Sequence, residues 1–143
     1  MTNVKEISIL LVDDDEIDIE AIKMGFDDLK IANPIYTARD GVEALEILRG
    51  ENEHIKLKKP YIILLDINMP RMSGLDFLDV IRNDQELKTS IIFILTTSDN
   101  DRDRVRAFEN HVAGYLLKSN AGKDFIEAAK LLEHYWRYVE FPI

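Results

Sequence analysis

The chain of 143 residues contains no cysteine, which excludes disulfides, thiolate metal sites and cysteine nucleophiles and suits a reducing cytosol. No leader or membrane span is expected. The opening stretch MTNVKEISILLVDDDE has a short apolar core followed at once by acids, and reads as folded structure. No basic stripe interleaved with aromatics is present, and a net charge of -9 would repel a phosphate backbone, so neither a nucleic acid nor a membrane is an expected partner. Internal repeats and low-complexity segments are also missing. The length suits one core without disulfides or structural metal, so residues 1–143 are expected to form a single domain with no output domain, in the cytoplasm.

With 46% hydrophobic and 31% charged residues, the chain has the balance of a globular protein and not of a disordered one. Short runs rich in branched and aromatic residues predict strands at Ile7 to Val12, Ile35 to Ala38, Tyr61 to Leu65, Ile91 to Leu95 and Gly114 to Leu117. Between them, apolar residues at helical spacing predict helices near 16–28, 41–50, 74–83 and 100–110, with a fifth from about Lys123 to Val139. Residues 50 to 60 read as a long solvated loop. Strict alternation implies parallel strands joined by right-handed crossovers, hence an α/β sheet covered on both faces.

Sites in such sheets form beyond the carboxyl ends of the strands. The first strand runs out into Asp13, Asp14, Asp15 and Glu16, the third into Asp66 and Asn68, the fourth into Thr96, Thr97 and Ser98, and the fifth into Lys118. Converging carboxylates repel one another, so at least one stays protonated unless a cation sits among them. Carboxylate and carbonyl oxygens suit Mg²⁺. Lys118 and Thr96 would add an ammonium and a hydroxyl, completing a set able to hold a phosphoryl group transferred to a carboxylate.

The segments LLVDDDE, LLDINMPRMSGLDFL, FILTTSD and AGYLLKS closely resemble the receiver domains of two-component response regulators, over nearly the whole chain. The resemblance implies a flavodoxin-like doubly wound (βα)5 fold with strand order 2-1-3-4-5. It implies Asp66 as phosphoacceptor and Mg²⁺ held by Asp13, Asp14, Asp66 and the backbone carbonyl of Asn68. Thr96 would be the switch hydroxyl, Tyr115 the aromatic that turns with it, and Lys118 the phosphate-binding ammonium. The chain also resembles the small regulators paired with phytochrome-type histidine kinases, which implies such a kinase as partner, a downstream protein as target and a role outside ordinary enzymology. Two positions depart from the pattern. Receivers usually carry Pro after the lysine, commonly with a cis bond, where this chain has Ser119, and many carry Ala where it has Thr97.

Plainer readings stand beside these. Acids after the first strand commonly cap a helix, and Asp15 is expected to do so. Thr96 would otherwise satisfy strand-end backbone, Tyr115 would be core, and Lys118 a structural partner of Asp66. Three other function classes stay open: a phosphatase of the haloacid-dehalogenase type, which needs a second Asp where Asn68 stands; a flavin carrier, whose phosphate the acidic loop would repel; and a receiver-like scaffold working without phosphorylation. His54, His111 and His134 are expected to carry no chemistry. In the last helix Phe125, Ala129, Leu132, Trp136 and Val139 make one stripe for the sheet, and Ala128, Leu131, Tyr135 and Tyr138 a second, expected to lie in water and to support a homodimer, the alternative being that Phe141, Pro142 and the chain end fold back over it.

Overall fold

A computed structural model describes residues 6–120 and 125–142. The apolar runs form β1 (Ser8–Val12), β2 (Ile35–Ala38), β3 (Tyr61–Leu65), β4 (Ile91–Thr96) and β5 (Gly114–Leu117). All pairings are parallel, in the order β2-β1-β3-β4-β5. Helices α1 (Glu16–Asp28), α2 (Gly41–Leu48), α3 (Gly74–Arg82), α4 (Asp101–Glu109) and α5 (Ile126–Tyr138) alternate with the strands, which is the expected flavodoxin-like arrangement.

The inner strands read as unbroken apolar runs because both faces are covered. Leu10, Val12, Ile63 and Leu65 point into a layer with Phe77, Leu78 and Ile81 of α3 and with α2, while Ile9, Leu11, Ile62 and Leu64 face α1 and α5. Alternate residues thus feed opposite cores, and each fully buried side chain stabilises the fold by about 1.5–3 kcal/mol.

Polar caps fix where four helices begin. Asp15 accepts from Ile17 N as expected, and Asp40, Ser73 and Asn100 cap α2, α3 and α4 in the same way. The expected start of α5 near Lys123 lies outside the described residues; the described helix follows Phe125, which is left-handed (φ 56°) and buried. Helices α2 and α4 stop short of the expected 50 and 110, because Gly50 (φ 72°) and His111 (φ 57°) turn the chain beyond them. The loop over 50–60 carries no helix or strand. It is less solvated than expected, since Ile55 and Leu57 pack against the α2 layer.

At the end of the sheet opposite the strand carboxyl ends, Arg82 donates to the carbonyls of Asn110 (2.6 Å), Lys88 (2.8 Å), Ser90 (2.8 Å) and His111 (3.1 Å). The Asn110 side chain and Arg106 both donate to Asp79 of α3.

The second stripe of α5 is not simply left in water. Ala128 is buried, and Tyr135 packs edge-on against Phe93 (4.8 Å) and Phe141 (6.2 Å). The tail folds back over that part, leaving Leu131 and Tyr138 as the exposed large apolar residues of α5. Phe125, Ala129, Leu132 and Trp136 of the first stripe are buried as expected.

Candidate functional site

Backbone pairing sets the acids in place. Asp13 N donates to Ala38 O and Asp66 N to Val12 O, both at 2.9 Å, so each residue continues its ladder one position past the strand end. Gly74 N then donates to Ile67 O (2.8 Å), bringing the start of α3 against the backbone just after Asp66. Arg71, left-handed at φ 61°, reaches back to Asp40 with bonds of 2.7 and 3.1 Å and braces the β3–α3 loop on the cap of α2.

One carboxylate oxygen from each of Asp13, Asp14 and Asp66 lies within 4.8 Å of the others. Asp13 and Asp66 are buried and Asp14 is exposed, so the group opens to solvent on one side. Asn68 lines the same cleft as Asp14. Asp66 Oδ1 is buried without a hydrogen-bond partner among the described residues, a costly state for a carboxylate oxygen unless something positive binds there. Hard oxygen donors, an orphaned oxygen and mutual repulsion together fit a divalent cation.

Lys118 follows β5 in a single 3-10 turn, Lys118–Asn120. Its Nζ donates to Asp18 Oδ2 (2.6 Å), Asp13 Oδ2 (3.0 Å) and Asp66 Oδ2 (3.3 Å). Burial opposes its charge, but the Asp18 hydrogen bond and the fields of Asp66 and Asp13 outweigh it and raise its pKa. One ammonium cannot neutralise every acid around it. Burial therefore pushes Asp13 up to about 6 despite the Asp15 N–H and Lys118. An acid raised in this way favours the fold only while protonated, so its contribution is lost as pH rises from its unfolded value through about 6. The Lys118–Ser119 bond is trans; the cis peptide among the described residues precedes Pro60.

Thr96 is fully buried, and its hydroxyl accepts from Ser98 N at 3.2 Å. Tyr115, half-buried, donates to Ser98 O at 2.8 Å with the Arg104 guanidinium 5.6 Å from its ring centre. Ser98 Oγ donates to Asp103 of α4 at 2.6 Å. Ser98 therefore joins Thr96, Tyr115 and α4. Thr97 and the three histidines are exposed.

Sequence reasoning missed Asp18, Asp103 and the bridging place of Ser98. Asp18 stands three residues after the cap Asp15, a position where an acid is ordinary. Its lysine partner is 100 residues away. No local spacing announces that contact.

The family model for the response regulator receiver domain matches residues 9–130. Response regulator Rcp1 of Synechocystis sp. is 33% identical over 128 residues, covering 90% of this chain and 87% of that protein. Among solved structures, the phosphorylated cyanobacterial phytochrome response regulator RcpA aligns over 98% of this chain and 100% of its own, with a TM-score of 0.85 and 31% identity. The manganese-bound form of Rcp1 aligns over 97% and 100%, with a TM-score of 0.83 and 31% identity.

Proposed function

Because the chain belongs to the response regulator receiver domain family, signalling domains and not enzymes in the ordinary sense, we propose that Asp66 accepts a phosphoryl group from a histidine kinase. The observation that carries this reading is Asp66 Oδ1, a buried carboxylate oxygen with no hydrogen bond, beside two further acids and an ammonium. In the transfer a bond forms from an Asp66 carboxylate oxygen to phosphorus as the P–N bond of a phosphoimidazole breaks, the electron pair leaving with the ring nitrogen. Lys118 offers a charged donor to the phosphoryl oxygens. A bound Mg²⁺, held by Asp13, Asp14, Asp66 and the Asn68 carbonyl, would supply positive charge against the same oxygens. Thr96 would leave Ser98 N for a phosphoryl oxygen, releasing the turn whose carbonyl holds Tyr115. Incubation with acetyl phosphate and Mg²⁺ should add one phosphate to the intact mass; no gain would leave the receiver-like scaffold as the better reading.

The metal has its own test. Mg²⁺ should raise the melting temperature, because it binds the folded acids and relieves their repulsion, and Asp14→Ala should remove most of that rise. Equal shifts in both proteins would place the cation elsewhere.

Likeness to RcpA and Rcp1 supports a phytochrome-type kinase as the donor. No helix among the described residues is long and apolar enough to cross a membrane. For output, the reading is protein contact, including a homodimer through α5. Leu131 and Tyr138 on α5 and Val105 and Phe108 on α4 are exposed, and these helices flank the edge strand β5. Sedimentation at micromolar concentration should show a dimer that Leu131→Glu with Tyr138→Glu disperses. Tyr135 is left intact in that variant because it packs on Phe93. A monomeric wild type, with and without phosphate, would remove the dimer from this reading.

A further inference from the structure

An ammonium has three donors, and Lys118 spends them on three different carboxylates. The order of distances is informative. The shortest contact, 2.6 Å, goes to Asp18, and the longest, 3.3 Å, to the acceptor Asp66. Asp18 belongs to the first turn of α1 and stands outside the group of Asp13, Asp14 and Asp66 suited to a cation. Its carboxylate is therefore directed at the lysine alone among the groups of the site.

We propose that Asp18 is a positioning residue that holds the Lys118 ammonium back from Asp66 and so limits the stability of the phosphorylated state. This inference rests on the receiver reading given above. A phosphoryl group on Asp66 carries more negative charge than the carboxylate it replaces, and needs a Lys118 donor on one of its oxygens. Asp18 opposes that twice, by retaining the ammonium and by adding a negative charge of its own nearby. Both effects have the same sign. Loss of Asp18 should free Lys118 to close on the acceptor and stabilise the modified form, at the expense of the resting one. An Asp18 that served only as an acid at the start of α1 would behave differently: its loss would loosen the helix and weaken ligand binding.

The test uses beryllofluoride, which adds to a carboxylate oxygen as a phosphoryl mimic, titrated calorimetrically into the full chain at saturating Mg²⁺. Asp18→Asn, which keeps the shape and a hydrogen-bond acceptor without the charge, should tighten binding by about fivefold to tenfold. Asp18→Glu should restore an affinity near wild type. Asp15→Asn removes an equal charge from the same helix start, where the side chain contacts Ile17 N and not Lys118, and should change affinity by less than about twofold. Unchanged or weaker binding in Asp18→Asn overturns the proposal, as does equal tightening in Asp15→Asn, which would make the effect one of net charge. A wild type that binds no beryllofluoride and gains no phosphate from acetyl phosphate would overturn the receiver reading itself. Normal wild-type binding with an inert Asp18→Asn would overturn only the role given to Asp18.

Discussion

Asp66→Asn is expected to abolish the phosphate-sized mass gain from acetyl phosphate while leaving the fold intact. The amide has no anionic oxygen to attack phosphorus, so the loss should be complete to the limit of detection. The fold should persist because Lys118 keeps its two shorter contacts, to Asp18 and Asp13. Removing one of three crowded acids also relieves repulsion, so the melting temperature should hold or rise. Two measurements on one sample, intact mass and thermal denaturation, separate loss of chemistry from loss of structure. A variant that still gains phosphate would move the acceptor to another residue, with Asp13 the first to examine.

Gly74→Ala should have the largest effect among single-methyl additions. A Cβ there would clash with the Asp66 carbonyl oxygen and come within 2.8 Å of the Ile67 Cα, both backbone atoms that cannot turn aside. The start of α3 would have to lift from β3, breaking the 2.8 Å bond from Gly74 N to Ile67 O. A cost of about 2–3 kcal/mol is expected for such overpacking, lowering the melting temperature by about 5–10 °C. Phosphate uptake should fall as well, because the displaced backbone carries Asp66. Gly41→Ala is the useful contrast. Its Cβ would press on the Met72 sulfur and neighbouring side-chain carbons, which belong to a flexible chain able to shift. Similar losses in the two variants would show that backbone contact at Gly74 has no special standing.

The strands were legible because a parallel strand covered on both faces cannot alternate with polar residues, so YIILL and IIFIL stand out in any reading. The gathered acids were legible for a related reason: a charge directly after a buried run needs a partner. What stayed hidden depends on distance along the chain. Asp18 looks like an ordinary first-turn acid until the fold returns Lys118 to it from the far end of the sequence. Tyr135 and Leu131 share a stripe by helical periodicity, yet Phe93 and Phe141 cover one and leave the other exposed. Periodicity gives a direction around a helix axis. It does not say which neighbour occupies it.

Helix α4 is held unequally at its two ends. Its last turn is tied through Arg106 and Asn110 to Asp79, with Arg82 gripping the carbonyls of Asn110 and His111 just beyond. Its first turn meets the site through the short bond from Ser98 Oγ to Asp103 and through the Arg104 guanidinium beside the Tyr115 ring. So held, the helix would act as a lever with its fulcrum at the Arg82 end, and a displacement of Ser98 would move its Asp101 end most. Val105 and Phe108 are exposed at different distances from that fulcrum. A protein resting on both would therefore register a change of tilt, and a sub-ångström event at Thr96 would reach the surface as an angle.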